Sequence, residues 1–166
     1  MLVGCLLLTA CAKDSPPPAP TSLRVPPGAQ QATVVRHTDG DTLTLRGIGV
    51  GPLPAQPTKV RLLEIDTPEV RPQPECRGED AAERTAELVP IGSRVRVEAD
   101  RQRTDRFGRT LLYVWTAEGV SVEEVLLREG LATVLYVRPN RRYLEHFRGV
   151  ERRAMEANVG LWKDCR

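Results

Sequence analysis

The 166-residue chain is poor in several things at once. It has no long apolar run: the group Leu2, Val3, Leu6, Leu7 and Leu8 is too short to span a bilayer. It has two histidines and four cysteines, and neither His37 nor His146 stands at ligand spacing from a cysteine, which argues against a zinc site. Lysine occurs only at 13, 59 and 163, and the net charge of +2 is too small to argue by itself for a polyanionic partner. No internal repeat is visible. What remains is 40% apolar and 28% charged residues, the composition and size of one globular domain with its own core.

The N-terminus departs from that average. The apolar run ends in Leu8, Thr9, Ala10, Cys11, an order that resembles the bacterial lipoprotein signal, although no Lys or Arg precedes it. On that reading residues 1–10 are a signal peptide, Cys11 is the lipidated first residue of the mature chain, and the protein is exported to the cell envelope. A buried N-terminal strand or helix is the alternative. Residues 11–30, with Pro16, Pro17, Pro18, Pro20, Pro26 and Pro27, cannot bury a core and read as an extended tether of roughly 3 Å per residue. The folded domain is expected over 31–166.

Setting aside Cys5 and Cys11 leaves Cys76 and Cys165, and two cysteines in an exported domain suggest a disulfide, with free thiols as the alternative. The basic residues gather locally: Arg101, Arg103, Arg106 and Arg109 form one group, and Arg138, Arg141 and Arg142 another. Both are compatible with ordinary solvated faces.

Periodicity gives the elements. Ala32 to Arg36 and Thr42 to Arg46 read as a hairpin around the Asp-Gly turn at 39–40, followed by a strand from Lys59 to Ile65 that must stop before Pro68. Gly78 to Val89 carries a small apolar helical face, while Arg94 to Ala99 and Thr110 to Thr116 read as strands. Ser121 with Glu124 fits a capping box opening a helix that Gly130 ends, and a last helix runs from about Tyr143 to Asn158. Strands this few and short do not suit a sandwich; five with an interposed helix suit an α+β, OB-type barrel.

Three clusters carry chemistry: Asp39-Gly40-Asp41-Thr42; Arg61 through Asp66-Thr67-Pro68-Glu69; and Asp105-Arg106-Phe107-Gly108-Arg109. Each alone reads as a turn or loop. Together and in this order, with Gln102-Arg103-Thr104, with Gly130-Leu131-Ala132 leading to Tyr136, and with Gly160-Leu161-Trp162, they resemble the staphylococcal nuclease (thermonuclease) family over residues 32–162. The resemblance implies a five-stranded OB-type barrel with three helices, acting as a monomer that hydrolyses DNA and RNA with Ca²⁺ and leaves 3′-phosphates.

It also implies roles, and the residue types fit them. Asp41, Asp66 and the carbonyl of Thr67 match the family's metal ligands, oxygen donors suited to a hard cation, with Asp39 beside them. Arg61 and Arg109 match its two catalytic arginines, whose forked guanidinium groups suit phosphate oxygens. Glu69 matches the carboxylate assigned as general base. Arg106 and Tyr136 are the expected substrate contacts. Arg106 and Phe107 stand where a familiar member has Lys and Tyr, Arg138 stands at the second nucleotide-flanking tyrosine, and the loop Gly47 to Pro57 is longer. The competing reading is an OB module that binds nucleic acid or protein without catalysis, or a structural surface lipoprotein. Loss of the acids would mark either, and they are all present.

Overall fold

The computed structural model describes residues 22–165. Cys11, the apolar run before it and most of the expected tether lie outside the described residues. Strands β1 (Gln30–His37) and β2 (Thr42–Gly47) form the expected hairpin, with the Thr38 amide donating to the Thr42 carbonyl at 2.9 Å. The register shifts between Val34 and Arg36, an irregularity that bends a strand and increases its twist. Strand β3 (Pro57–Leu62) pairs antiparallel with β2.

The connection between β2 and β3 is folded back rather than loose. Leu53 is fully buried, and the Gln30 side chain binds both its amide and its carbonyl, at 3.1 and 3.2 Å.

The expected third strand does not run on to Ile65. The chain turns at Leu63 and Glu64, with Glu64 at φ 63°, and Ile65–Asp66 (β4) leaves the barrel sheet to pair with β7 (Thr133–Val134). A left-handed glutamate costs about 1–3 kcal/mol and leaves no mark in a hydrophobic pattern. It is held by long-range contacts: its carbonyl accepts from the Leu135 amide at 3.0 Å, and its Oε2 from the Tyr143 amide at 3.2 Å.

After α1 (Gly78–Leu88), strands β5 (Arg94–Glu98) and β6 (Thr110–Thr116) complete the sheet. Strand β6 lies parallel to β3 and β5 pairs with both β6 and β1, so the order β1-β2-β3-β6-β5 closes on itself. This is the expected five-stranded barrel, with the helices packed outside it. Closure removes the unpaired edges that an open sheet would expose.

Helix α2 (Val122–Arg128) starts at Ser121, whose Oγ accepts from the Glu124 amide at 3.2 Å. Glu124 does not reach back to complete the box. Its Oε2 accepts from the Leu23 amide at 2.8 Å and lies 3.2 Å from His146 Nε2. Leu23 and Val25, expected in the tether, pack against the core, so the packed unit extends ahead of Gln31. Helix α3 (Leu144–Glu156) buries Leu144, Phe147, Val150 and Ala154, one face of a 3.6-residue period. Phe147 and Tyr143 join Tyr113 and Trp115 in an aromatic cluster, the rings of Tyr113 and Tyr143 meeting edge to face at 4.7 Å. A short α4 (Leu161–Asp164) is a fourth helix beyond the three expected.

Cys76 and Cys165 are joined in a disulfide with their Cα atoms 5.8 Å apart. Among the described residues no helix is long and apolar enough to cross a membrane.

Candidate active site

The hairpin turn delivers the first acid. Gly40 lies so close to Thr67 that a Cβ would come 2.8 Å from the threonine Oγ1, and this approach sets Asp41 against the chain after β4. Asp41 is 1% exposed; its Oδ2 accepts from the Thr67 amide at 3.1 Å and its Oδ1 from Thr42 Oγ1 at 3.0 Å. Burial pushes its carboxyl above the ordinary carboxylate range, the Arg61 charge and the Thr67 amide pull it back, and Asp39 pushes it up again.

Arg61, on the cleft side of β3, bridges two of the expected metal ligands. Its Nη1 meets Asp41 Oδ1 and its Nη2 meets Asp66 Oδ1, each at 2.5 Å. Asp66 is half exposed, so the pair grades from buried to solvated.

A cleft of about 850 Å³ opens over these groups. Arg61, Asp66, Glu69, Asp105, Arg106 and Arg109 all line it. Asp105 holds the second arginine: its Oδ2 accepts from Arg109 Nε at 2.6 Å, and its Oδ1 from the Arg109 and Phe107 amides at 2.9 Å. Burial pushes the Asp105 carboxyl up, but these hydrogen bonds outweigh it and leave the group below the usual range. Arg109 thus spends its backbone amide and Nε on its own loop, leaving both terminal nitrogens for the cleft. Glu69 is raised above the ordinary range by burial first and then by Asp39, with Asp66 and Glu75 adding to it against the opposing Arg61 charge.

The structure therefore brings Arg61, Asp66, Glu69, Arg106 and Arg109 to one cleft, with Asp41 and Thr67 buried behind them. Tyr136 is not among the lining residues. Leu135 and Val137, its neighbours on either side, line the cleft instead, together with the exposed Phe107 ring. The β4–β7 pairing and the Leu135 amide bond to Glu64 fix this segment, and a sequence match carries no information on which neighbour faces inward. Arg138 is likewise outside the lining.

Lys59 is a lining residue that the sequence reading passed over. Its position two residues before Arg61 on one strand was the available signal, because alternation puts both on the same face. His37 and His146 are structural: His37 Nε2 lies 2.8 Å from the Val89 carbonyl at the end of α1, and His146 meets Glu124.

Among the described residues no three His, Cys, Asp or Glu side chains close into a ligand group. The chemistry of the donors nonetheless fits a hard divalent cation. Asp41 and Asp66 offer carboxylate oxygens, Thr67 a carbonyl, and the mutual repulsion of Asp39, Asp41, Asp66 and Glu69 is offset at close range by Arg61.

The fold is thus a closed mixed barrel carrying a cleft lined by arginines and carboxylates. The chain belongs to the staphylococcal nuclease family: residues 59–164 match the model described as staphylococcal nuclease homologue. It is similar to two Bacillus subtilis (strain 168) proteins, each 40% identical over 135 residues and 78% of this chain. They are the SPbeta prophage-derived endonuclease YokF, of which the match covers 43%, and endonuclease YncB, of which it covers 60%. It is also 33% identical to the thermonuclease of Staphylococcus hyicus over 138 residues, 81% of this chain and 77% of that protein. The match thus spans about half the length of the two Bacillus relatives.

Proposed function

We propose that the chain is a Ca²⁺-dependent phosphodiesterase that hydrolyses DNA and RNA and leaves 3′-phosphates. The observation that carries this reading is the cleft itself, lined by Arg61, which is bonded to Asp41 and Asp66, by Arg109, which is held by Asp105, and by Glu69. Relatives named endonuclease and thermonuclease support it.

Asp41, Asp66 and the Thr67 carbonyl would hold Ca²⁺, which when bound supplies positive charge beside the scissile phosphate and draws a water into reach. Arg61 and Arg109 reach equatorial phosphate oxygens, where their charge-assisted bonds strengthen as negative charge builds. Glu69 takes a proton from the attacking water. The water oxygen bonds to phosphorus, the bond to the 5′-oxygen breaks, and that oxygen takes a proton from solvent water and leaves as a 5′-hydroxyl. A carboxylate at its solution value of about 4.3 is a weak base, so the cation, when bound, would have to lower the proton affinity of the water.

The proposed setting is the cell envelope, with a monomer tethered through lipidated Cys11. Mass spectrometry of the natively expressed N-terminus tests the anchor, and an unlipidated or unprocessed N-terminus removes it. For the activity, the assay is cleavage of plasmid DNA and of RNA with Ca²⁺ titrated against a chelator. Cleavage that rises with free Ca²⁺ and ends in 3′-phosphates is expected. Polynucleotide left intact at every Ca²⁺ concentration leaves a binding module as the function.

A further inference from the structure

Glu69 starts an exposed loop. Residues 71–76 are all exposed, and no regular element holds the chain between Asp66 and Gly78. A loop of that kind holds a carboxylate loosely unless something fastens it.

Several contacts fasten this one. The Glu69 amide donates to Glu75 Oε2 at 2.9 Å, and the Glu75 amide donates to the Glu69 carbonyl at 2.8 Å, so the two residues close the loop into a ring. Gly78 presses on the same carbonyl: a Cβ there would come 2.6 Å from Glu69 O. Beside Glu75, Cys76 is bonded to Cys165, and Arg77 Nη1 lies 3.5 Å from Asp164 Oδ2. The far end of the loop is therefore tied to α4, which is itself held to the end of α2 by the Leu161 amide bond to Gly130.

We propose that Glu75, anchored by the Cys76–Cys165 disulfide, is the positioning residue for Glu69, so that hydrolysis depends on the oxidised bridge. The proposal rests on the reading of Glu69 as the base. Displacing a reacting group by about 1 Å costs on the order of 100-fold in rate. With the bridge closed, the residue after Glu75 is tied to α4 while the Glu75 carboxylate holds the Glu69 amide. With it open, residues 70–77 lose their covalent tie and the ring of hydrogen bonds competes with water. Cys76 is exposed and accessible to a thiol. A dithiol reductant would give up two electrons and two protons to Cys76 and Cys165 and become a cyclic disulfide, leaving two cysteine thiols in the chain. The chain is then a poor nuclease in reducing surroundings and a competent one in oxidising surroundings.

The test measures kcat and KM on single-stranded polynucleotide at saturating Ca²⁺, with circular dichroism and denaturant unfolding confirming the fold of each form. Glu75→Ala with the bridge intact, and the parental chain after dithiol reduction, should each lose about 10- to 100-fold in kcat at nearly constant KM. Glu75→Gln keeps an acceptor oxygen for the Glu69 amide and should stay near the parental rate. The Cys76→Ser/Cys165→Ser chain should match the reduced parent and ignore reductant. In a Glu69→Gln background neither Glu75→Ala nor reduction should lower kcat further, a non-additivity that simple loss of stability does not produce. Parental kcat in both Glu75→Ala and the reduced chain, with Glu69→Gln impaired, overturns the positioning role and leaves the nuclease reading standing. Glu69→Gln at the parental rate, or a parental chain without activity, overturns that reading and the positioning role with it.

Discussion

Arg61 Nη1 and Asp41 Oδ1 meet at 2.5 Å in a pair whose side chains are only 10% and 2% exposed. Breaking a buried pair by removing one member leaves an uncompensated charge, which costs about 3–5 kcal/mol. Arg61→Ala should therefore lose stability as well as turnover, whereas Arg109→Ala, whose pair with Asp105 sits on a more open loop, should lose turnover by on the order of 10²–10³ and keep most of its stability. Denaturant unfolding in chelator, set beside kcat, separates the two. Arg109→Ala cutting DNA at the parental rate would show that the proposed cleft is not the reaction site.

The acids should divide by role. Asp41→Ala and Asp66→Ala each remove a carboxylate expected on the same ion, so Ca²⁺ affinity and activity should fall together. Glu69→Gln should retain most of the Ca²⁺ affinity while losing kcat. Calorimetric Ca²⁺ binding to each folded variant is the check, and a Glu69→Gln chain that no longer binds Ca²⁺ would move Glu69 into the ligand set.

Glu123 predicts a pH dependence of stability. It is fully buried, its Oε1 accepting from the Val114 amide at 2.8 Å and its Oε2 from Ser121 Oγ at 3.1 Å. Burial raises its carboxyl from 4.5 to about 8, against the pull of those hydrogen bonds. The folded chain keeps this proton up to about pH 8 while the unfolded chain releases it near 4.5, so the group costs stability progressively as pH rises through that window. Glu123→Gln can keep both contacts. Its melting temperature should equal the parental one below the window and exceed it increasingly towards the upper end. A difference that stays flat between pH 4 and 9 contradicts a protonated Glu123.

The apolar wall of the cleft should set affinity. Phe107 is 69% exposed with the Arg106 guanidinium 4.8 Å from its ring centre, an arrangement that offers a face to a nucleobase. Stacking of one base on an aromatic ring is worth about 1–3 kcal/mol, so Phe107→Ala should raise KM for single strands with little change in kcat. Tyr136→Ala should change KM less than Val137→Ala does. The reverse order would return Tyr136 to the cleft.

Much of this was legible in the chain because it rests on period and punctuation. The hairpin around Asp39-Gly40 came from a turn dipeptide between β-rich runs, the strand Thr110–Thr116 from a run of β-favouring residues, and the helix opening at Ser121 from a cap. The cleft residues Arg61, Asp66, Glu69 and Arg109 came from their clustering in an order that resembles one family. What did not come through is what depends on distant partners. Glu64 adopts its left-handed turn because Leu135 and Tyr143 lie against it, from segments some seventy to eighty residues on. Leu23 and Val25 look like tether until the core is there to receive them. Glu75 reads as one more loop acid, since only the folded loop turns it back on Glu69.

Arg61 and Arg109 stand far apart in the chain and approach only across the parallel β3–β6 seam, where Arg61 is in register with Leu111. Closing a long intervening loop must come before such a pairing is rewarded, which places it late in folding. A chain still being synthesised, released only as far as α1, holds Arg61 but not yet Arg109. A chain that has breathed open along that seam holds both but no longer keeps them together across it. The pairing of the two arginines is thus a property of the closed β3–β6 ladder, and any form in which that ladder is open lacks it.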